Sequence, residues 1–138
     1  MSNLNQHLID PTLTAPLAEE YLKSNYAEIN RKRPAAKPDS RTYSMELEVL
    51  QEYLKLISSE MDKRGIKSKG IKVTMGKYPE KSTDPKLKPE YLGYQMIFFS
   101  PIDLGTRNDK NLEATQDSNS FVLGEIPDLN YMNITPPY

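Results

Sequence analysis

The sequence predicts an α+β domain: two helices packed on a small, mostly antiparallel sheet of two or three strands, with an extended carboxy-terminal tail. Three observations predict it. Apolar residues recur at three- and four-residue steps along residues 45–64, a glycine stands where that pattern stops, and β-like runs follow at residues 70–76 and 93–100. The 138 residues, 37% hydrophobic with mean hydropathy −0.68, suffice for one core. The expected division is a polar arm over residues 1–13, a single domain over 14–126 and a Pro/Tyr-rich tail over 127–138.

In chain order, the arm carries the single histidine, His7, and residues 1–10 have neither a basic start nor an apolar run, so no secretory signal is expected. Thr14 and Pro16 mark the expected start of the first helix. Leu17, Tyr21, Leu22, Tyr26 and Ile29 form its stripe, Arg31, Lys32 and Arg33 suit the negative end of its dipole, and Pro34 ends it. Residues 34–40 read as a linker.

The second helix is the best-defined element. Leu47, Leu50, Leu54, Ile57 and Met61 fall on one face, and Val49, Tyr53 and Leu56 widen it. Ser44 is the expected N-cap, Glu46 and Glu48 suit the positive end of the dipole, and Lys63 and Arg64 suit the other. Gly65 can take the left-handed C′ conformation.

In the first strand Ile71, Val73 and Met75 alternate with Lys72 and Thr74, so the apolar set is expected to face the core. Residues 77–92, with Pro79, Pro85 and Pro89, read as a loop. In the second strand Tyr94, Met96 and Phe98 point one way while Gln95, Ile97 and Phe99 point the other. Both faces therefore need cover. Two strands alone are marginal, so a third is expected over residues 120–125 around Phe121 and Leu123, after a polar loop.

Taken together, these parts resemble an uncharacterised family of small bacterial α+β proteins. The resemblance rests on Tyr26 in the first helix, Leu50 to Ile57 in the second, the strand Gly70-Ile71-Lys72-Val73-Thr74-Met75-Gly76, the stretch Ile102 to Gly105, and the ending Pro136-Pro137-Tyr138. It covers the chain from about Leu17 onward, on motifs that are short singly and gain weight from their order. It implies the fold and no activity. Members of that family carry cysteines flanking the proline pair; this sequence has none, so any function of those cysteines is absent here.

The absence of cysteine also excludes disulfides, thiolate metal sites and thiol nucleophiles. With one histidine, a metal would need oxygen ligands. Asp103, Asn108, Asp109, Asn111 and Glu113 crowd one segment but lack the spacing of a calcium loop, so no metal and no cofactor is expected. There is no G-x-S-x-G elbow and no glycine-rich phosphate loop, and Glu46, Glu48, Glu52 and Glu60 read as solubilising helix residues. No enzymatic activity is expected. Asn133-Ile134-Thr135 matches a glycosylation pattern, which a cytoplasmic chain would not use. A cytoplasmic location is the default expectation, since no run approaches the ~20 apolar residues of a membrane span.

Charge is segregated. Residues 63–88 carry nine Lys and Arg against Glu80 and Asp84, whereas acids dominate after Ser100. Lys67, Lys69, Lys72, Lys77 and Lys81, in a lysine-rich segment interleaved with Tyr78, Tyr91 and Tyr94, are the residues a polyanion or nucleic acid would use. The acidic pI near 5.9 and the scarcity of arginine in this segment weigh against that use. The favoured expectation is a non-catalytic interaction or assembly protein, binding a protein partner or itself. Its expected contact residues are Ile97 and Phe99 on the two-faced strand, and Tyr131, Ile134, Pro136, Pro137 and Tyr138 on the tail.

Overall fold

The computed structural model describes residues 3–106 and 125–136. It has a small α+β fold in which two helical runs pack against two antiparallel two-stranded sheets. The expected strand around Phe121 and Leu123, the Asp109–Glu113 segment, and Pro137 and Tyr138 lie outside the described residues.

A single 3-10 turn, Leu4–Gln6, precedes α1 (Pro11–Tyr21). The helix begins at Pro11 rather than at Thr14. The Asp10 carboxylate accepts from the Thr12 backbone N–H at 2.8 Å and from the Thr12 hydroxyl at 2.7 Å, while Pro11 fills the first helical position, where no N–H is needed. Pro16 therefore falls inside the helix. The helical run continues through a π turn, Leu22–Tyr26, into α2 (Ala27–Arg31). Tyr26 is buried there, and its hydroxyl donates to the Asp39 carbonyl at 2.8 Å.

Asp39 and Ser40, at the end of the expected linker, are among the most buried polar residues described. The Asp39 carboxylate accepts from the N–H groups of Ser40 (2.8 Å) and Gln95 (2.7 Å), and Asn30 accepts from the Asp39 N–H at 2.7 Å. This satisfied node ties the end of the first helical run to the start of the main sheet. The chain then enters β1 (Thr42–Ser44), a strand the periodicity did not announce, which pairs with β4 (Asn133–Thr135) so that Tyr43 faces Ile134. Ser44 is held in this ladder opposite Asn133. Glu46 takes the N-cap position of the long helix instead, without a side-chain cap.

That helix, α3 (Leu47–Lys63), buries Tyr53, Ile57 and Met61. They pack with Ile126 against Ile66, Phe99 and Leu129. Leu47 and Leu54, expected in the middle of the buried face, lie on an exposed flank of it. The stop is as expected: Gly65 has φ +73, its N–H bonds to the Asp62 carbonyl, and the Ile66 N–H reaches back to Met61. This is the two-bond terminus in which a left-handed glycine lets the next apolar residue fold onto the last turn.

The main sheet pairs β2 (Lys69–Lys77) with β3 (Gln95–Asp103), Lys69 opposite Asp103 and Lys77 opposite Gln95. The tail closes on its own chain. Leu129 exchanges two backbone hydrogen bonds of 2.9 Å with Phe99, and Tyr53 donates to the carbonyls of Phe99 and Pro127. Farther on, Ile134 enters a second core with Tyr78, Leu87, Tyr91 and Tyr94, backed by Tyr43 and Met96.

Candidate interaction face

Strand alternation puts Ile71, Val73 and Met75 on one face of β2, but that face is open. The three are 41, 53 and 65% exposed. The opposite face, expected to be the wet one, is the better covered, with Gly70, Lys72, Thr74 and Gly76 all half-buried. Its glycines explain the inversion. A Cβ on Gly70 would stand 2.7 Å from a Leu104 carbon, and one on Gly76 would stand 2.8 Å from the Met96 sulfur. Side chains from β3 and the segment after it thus lean across β2 on that side and fill the space.

On the open side α3 covers β3 at Phe99 and leaves β2 bare. The Lys69 ammonium sets the relation between helix and strand, donating to Ser58 (2.7 Å) and to Asp62 (2.8 Å) at the end of α3. Leu54 precedes Ser58 by four residues and Leu47 precedes Leu54 by seven, so both share the Ser58 flank, turned toward β2. They are 40 and 70% exposed. The result is an apolar furrow with Leu47 and Leu54 on one wall and Ile71, Val73 and Met75 on the other.

Two of the expected contact residues line the same furrow. The register sets Ile97 opposite Met75 and Phe99 opposite Val73, both half-buried. The tail residues go elsewhere. Ile134 is 1% exposed and belongs to the interior of its own chain. Pro136 is half-buried, following a cis peptide bond. Tyr131 is exposed on the other side of the molecule, its hydroxyl donating to Asp84 at 2.7 Å.

The five lysines are dispersed. Lys69 and Lys77 share the open face, each with an acidic partner (Asp62 at 2.8 Å and Glu80 at 3.2 Å), whereas alternation sends Lys72 to the other face. Lys67 and Lys81 are exposed at the two ends of β2.

Clefts formed by the described residues include one of about 790 Å³ between the end of α2 and residues 89–94, lined by Lys32, Arg33, Lys37, Glu80 and Glu90 among others. Its most directional cation is already engaged. Arg33 donates to the carbonyls of Lys37 (2.9 Å) and Gly93 (3.0 Å), and its guanidinium carbon lies 4.4 Å from the Tyr94 ring centre. Another cleft, about 470 Å³, is bordered by Tyr78, Asp84, Asp128 and Asn130. Burial pushes the Asp128 carboxyl up against the opposing pull of Lys72, and the Tyr131 hydroxyl and the Lys86 N–H hold Asp84 below the ordinary carboxylate range. The hydrogen bond from the Tyr131 hydroxyl accounts for Asp84 without a reacting partner. Among the described residues no group of histidine, aspartate and glutamate side chains could hold a metal ion, and no helix is long and apolar enough to cross a membrane.

No protein-family description, curated protein or solved structure matches the chain.

Proposed function

We propose that this chain is a non-catalytic protein-interaction module whose working surface is the open face of β2 with the adjoining flank of α3. One observation carries the reading: on the same side of one sheet, α3 covers β3 while three consecutive outward residues of β2, all apolar, are left in water. Contiguous apolar surface of this kind on a small chain marks a place where something docks. Lys69 and Lys77 stand at its two ends, each already paired with an acid of its own chain. The fitting partner is therefore a protein segment whose apolar stripe matches this face.

The test is a comparison of the wild-type chain with Val73→Glu, each used to capture partners from its own cells after nuclease treatment, alongside binding of an apolar dye. The expected result is that dye binding drops and a stoichiometric, nuclease-resistant protein disappears in the variant. Equal dye binding and identical capture by the two chains would overturn the reading. Polyanion binding through Lys67, Lys69, Lys72, Lys77 and Lys81 is the competing reading, and it predicts binding that falls steeply with salt and survives the uncharged substitution Val73→Ser.

A further inference from the structure

We propose that the docking segment comes from a second copy of this chain: the amino-terminal helical arm of one copy lies in the β2–α3 furrow of the other, and reciprocally. This rests on the interaction reading above and names its partner.

The arm is built for burial and has none in its own chain. Every residue from 3 to 20 is exposed, and Leu4, Leu8, Ile9, Leu13 and Leu17 are each 51–63% exposed. α1 buries no side chain, although Leu13 and Leu17 stack on one face at helical spacing with Tyr21 next in line. α1 is the unsupported 11-residue front of the first helical run and has a proline inside it, so packing against another surface would add to its stability.

Its own furrow is not that surface. α1, the π turn and α2 form one continuous helical run, fixed at its far end by the Tyr26–Asp39 hydrogen bond and by Arg33 on Gly93. To fold back onto β2 the arm would have to break that run. The root of the arm nevertheless lies near one end of the furrow. The Gln95 side chain donates to the Tyr21 hydroxyl at 3.5 Å, and Gln95 pairs with Lys77, the last residue of the open face. An arm that projects beside the furrow it cannot reach is arranged for two-fold exchange, which closes with both arms seated.

Size and charge agree. Leu13 to Tyr21 spans about 12 Å of helix, and Ile71 to Met75 about 13 Å of strand. The arm carries Asp10, Glu19 and Glu20 and no Lys or Arg before Lys23, and the furrow it faces has Lys69 and Lys77 at its ends, each shared with an acid of its own chain, Asp62 and Glu80.

The full chain is tested by sedimentation and light scattering. Wild type is expected to be a dimer, and Leu17→Glu and Val73→Glu are each expected to be monomers with unchanged circular dichroism of the folded body. Mixing the two variants leaves one intact arm and one intact furrow, so a heterodimer returns, about tenfold or more weaker than wild type. Because the chain has no cysteine, Leu17→Cys and Val73→Cys in separate chains report the contact directly: the oxidised mixture is expected to give a cross-linked heterodimer. A dimer that survives Leu17→Glu overturns the proposal, as does a double variant, Leu17→Cys with Val73→Cys, that closes within one chain at dilution. A wild-type monomer whose dye binding is lost on Val73→Glu overturns arm exchange and leaves the interaction face standing; a monomer that binds no dye removes both.

Discussion

Tyr26 is the residue that ties the first helical run to the node at the start of the main sheet. Its ring closes the buried end of the first helical run, and its hydroxyl satisfies the Asp39 carbonyl, whose own residue holds Ser40 and Gln95 in place. Removing only the oxygen leaves that carbonyl buried without this donor, so Tyr26→Phe is expected to cost about 1–3 kcal/mol in denaturant unfolding. A loss well under that range would mean that water reaches the Asp39 carbonyl. The periodicity of the first helix marks Tyr26 as inward. It does not mark Asp39 or Ser40, because a Pro-Asp-Ser stretch has the composition of an exposed turn and partners outside the stretch, at Tyr26, Asn30 and Gln95, make burial tolerable. The same limit applies to Asp10: Asp-Pro-Thr is a strong start signal once recognised, and Pro16 drew the expected start to the wrong proline.

Among the elements, α3 shows how far a periodic stripe can be read. Its length, glycine stop and membership of the core are all legible, but the stripe of apolar residues is wider than the surface available to cover it. Phe99, Ile126 and Leu129 cover Tyr53, Ile57 and Met61 and leave Leu54 at the edge. Ile57→Ala should therefore destabilise by about 2–5 kcal/mol, and Leu54→Ala by about 0.5 kcal/mol or less. Urea unfolding in a Leu17→Glu background, which keeps association out of the measurement, separates the two. Equal costs would place the helix with its Leu47–Leu54 flank inward. For β2 the limit is more basic. A period of two says that Ile71, Val73 and Met75 share a face, and burial is the ordinary inference. The glycines at 70 and 76 carried the contrary signal, since each leaves space only on the face where β3 leans across. The candidate face was thus readable as a set of residues, and its exposure was not.

At the scale of the whole molecule, two small cores on two small sheets are joined by the tail, and Tyr53 stands where helix, sheet and tail meet. Its hydroxyl donates to Phe99 of β3 and to Pro127 of the tail, both carbonyls that a phenolate could not satisfy. Burial, with the nearby negative charge of Asp128 adding to it, pushes the Tyr53 phenol up to about 12 from its ordinary value of 10.0. The folded state thus holds this proton more tightly than the unfolded chain does. The contribution is full below pH ~10, where both states are protonated, and declines as pH rises toward ~12 and the unfolded state ionises first. Burial pushes the Tyr78 phenol up as well, so the second core acts in the same direction. The urea midpoint is expected to be level through neutral pH and to fall steadily above pH ~10. Tyr53→Phe should lower the midpoint at neutral pH, because the Pro127 carbonyl loses this donor and the Phe99 carbonyl keeps only the Leu129 N–H, and should flatten the alkaline decline. The difference in slope, not the difference in midpoint, reports the protonation. A variant with the wild-type slope would assign the alkaline loss to the other tyrosines and remove Tyr53 from the junction between tail and sheet.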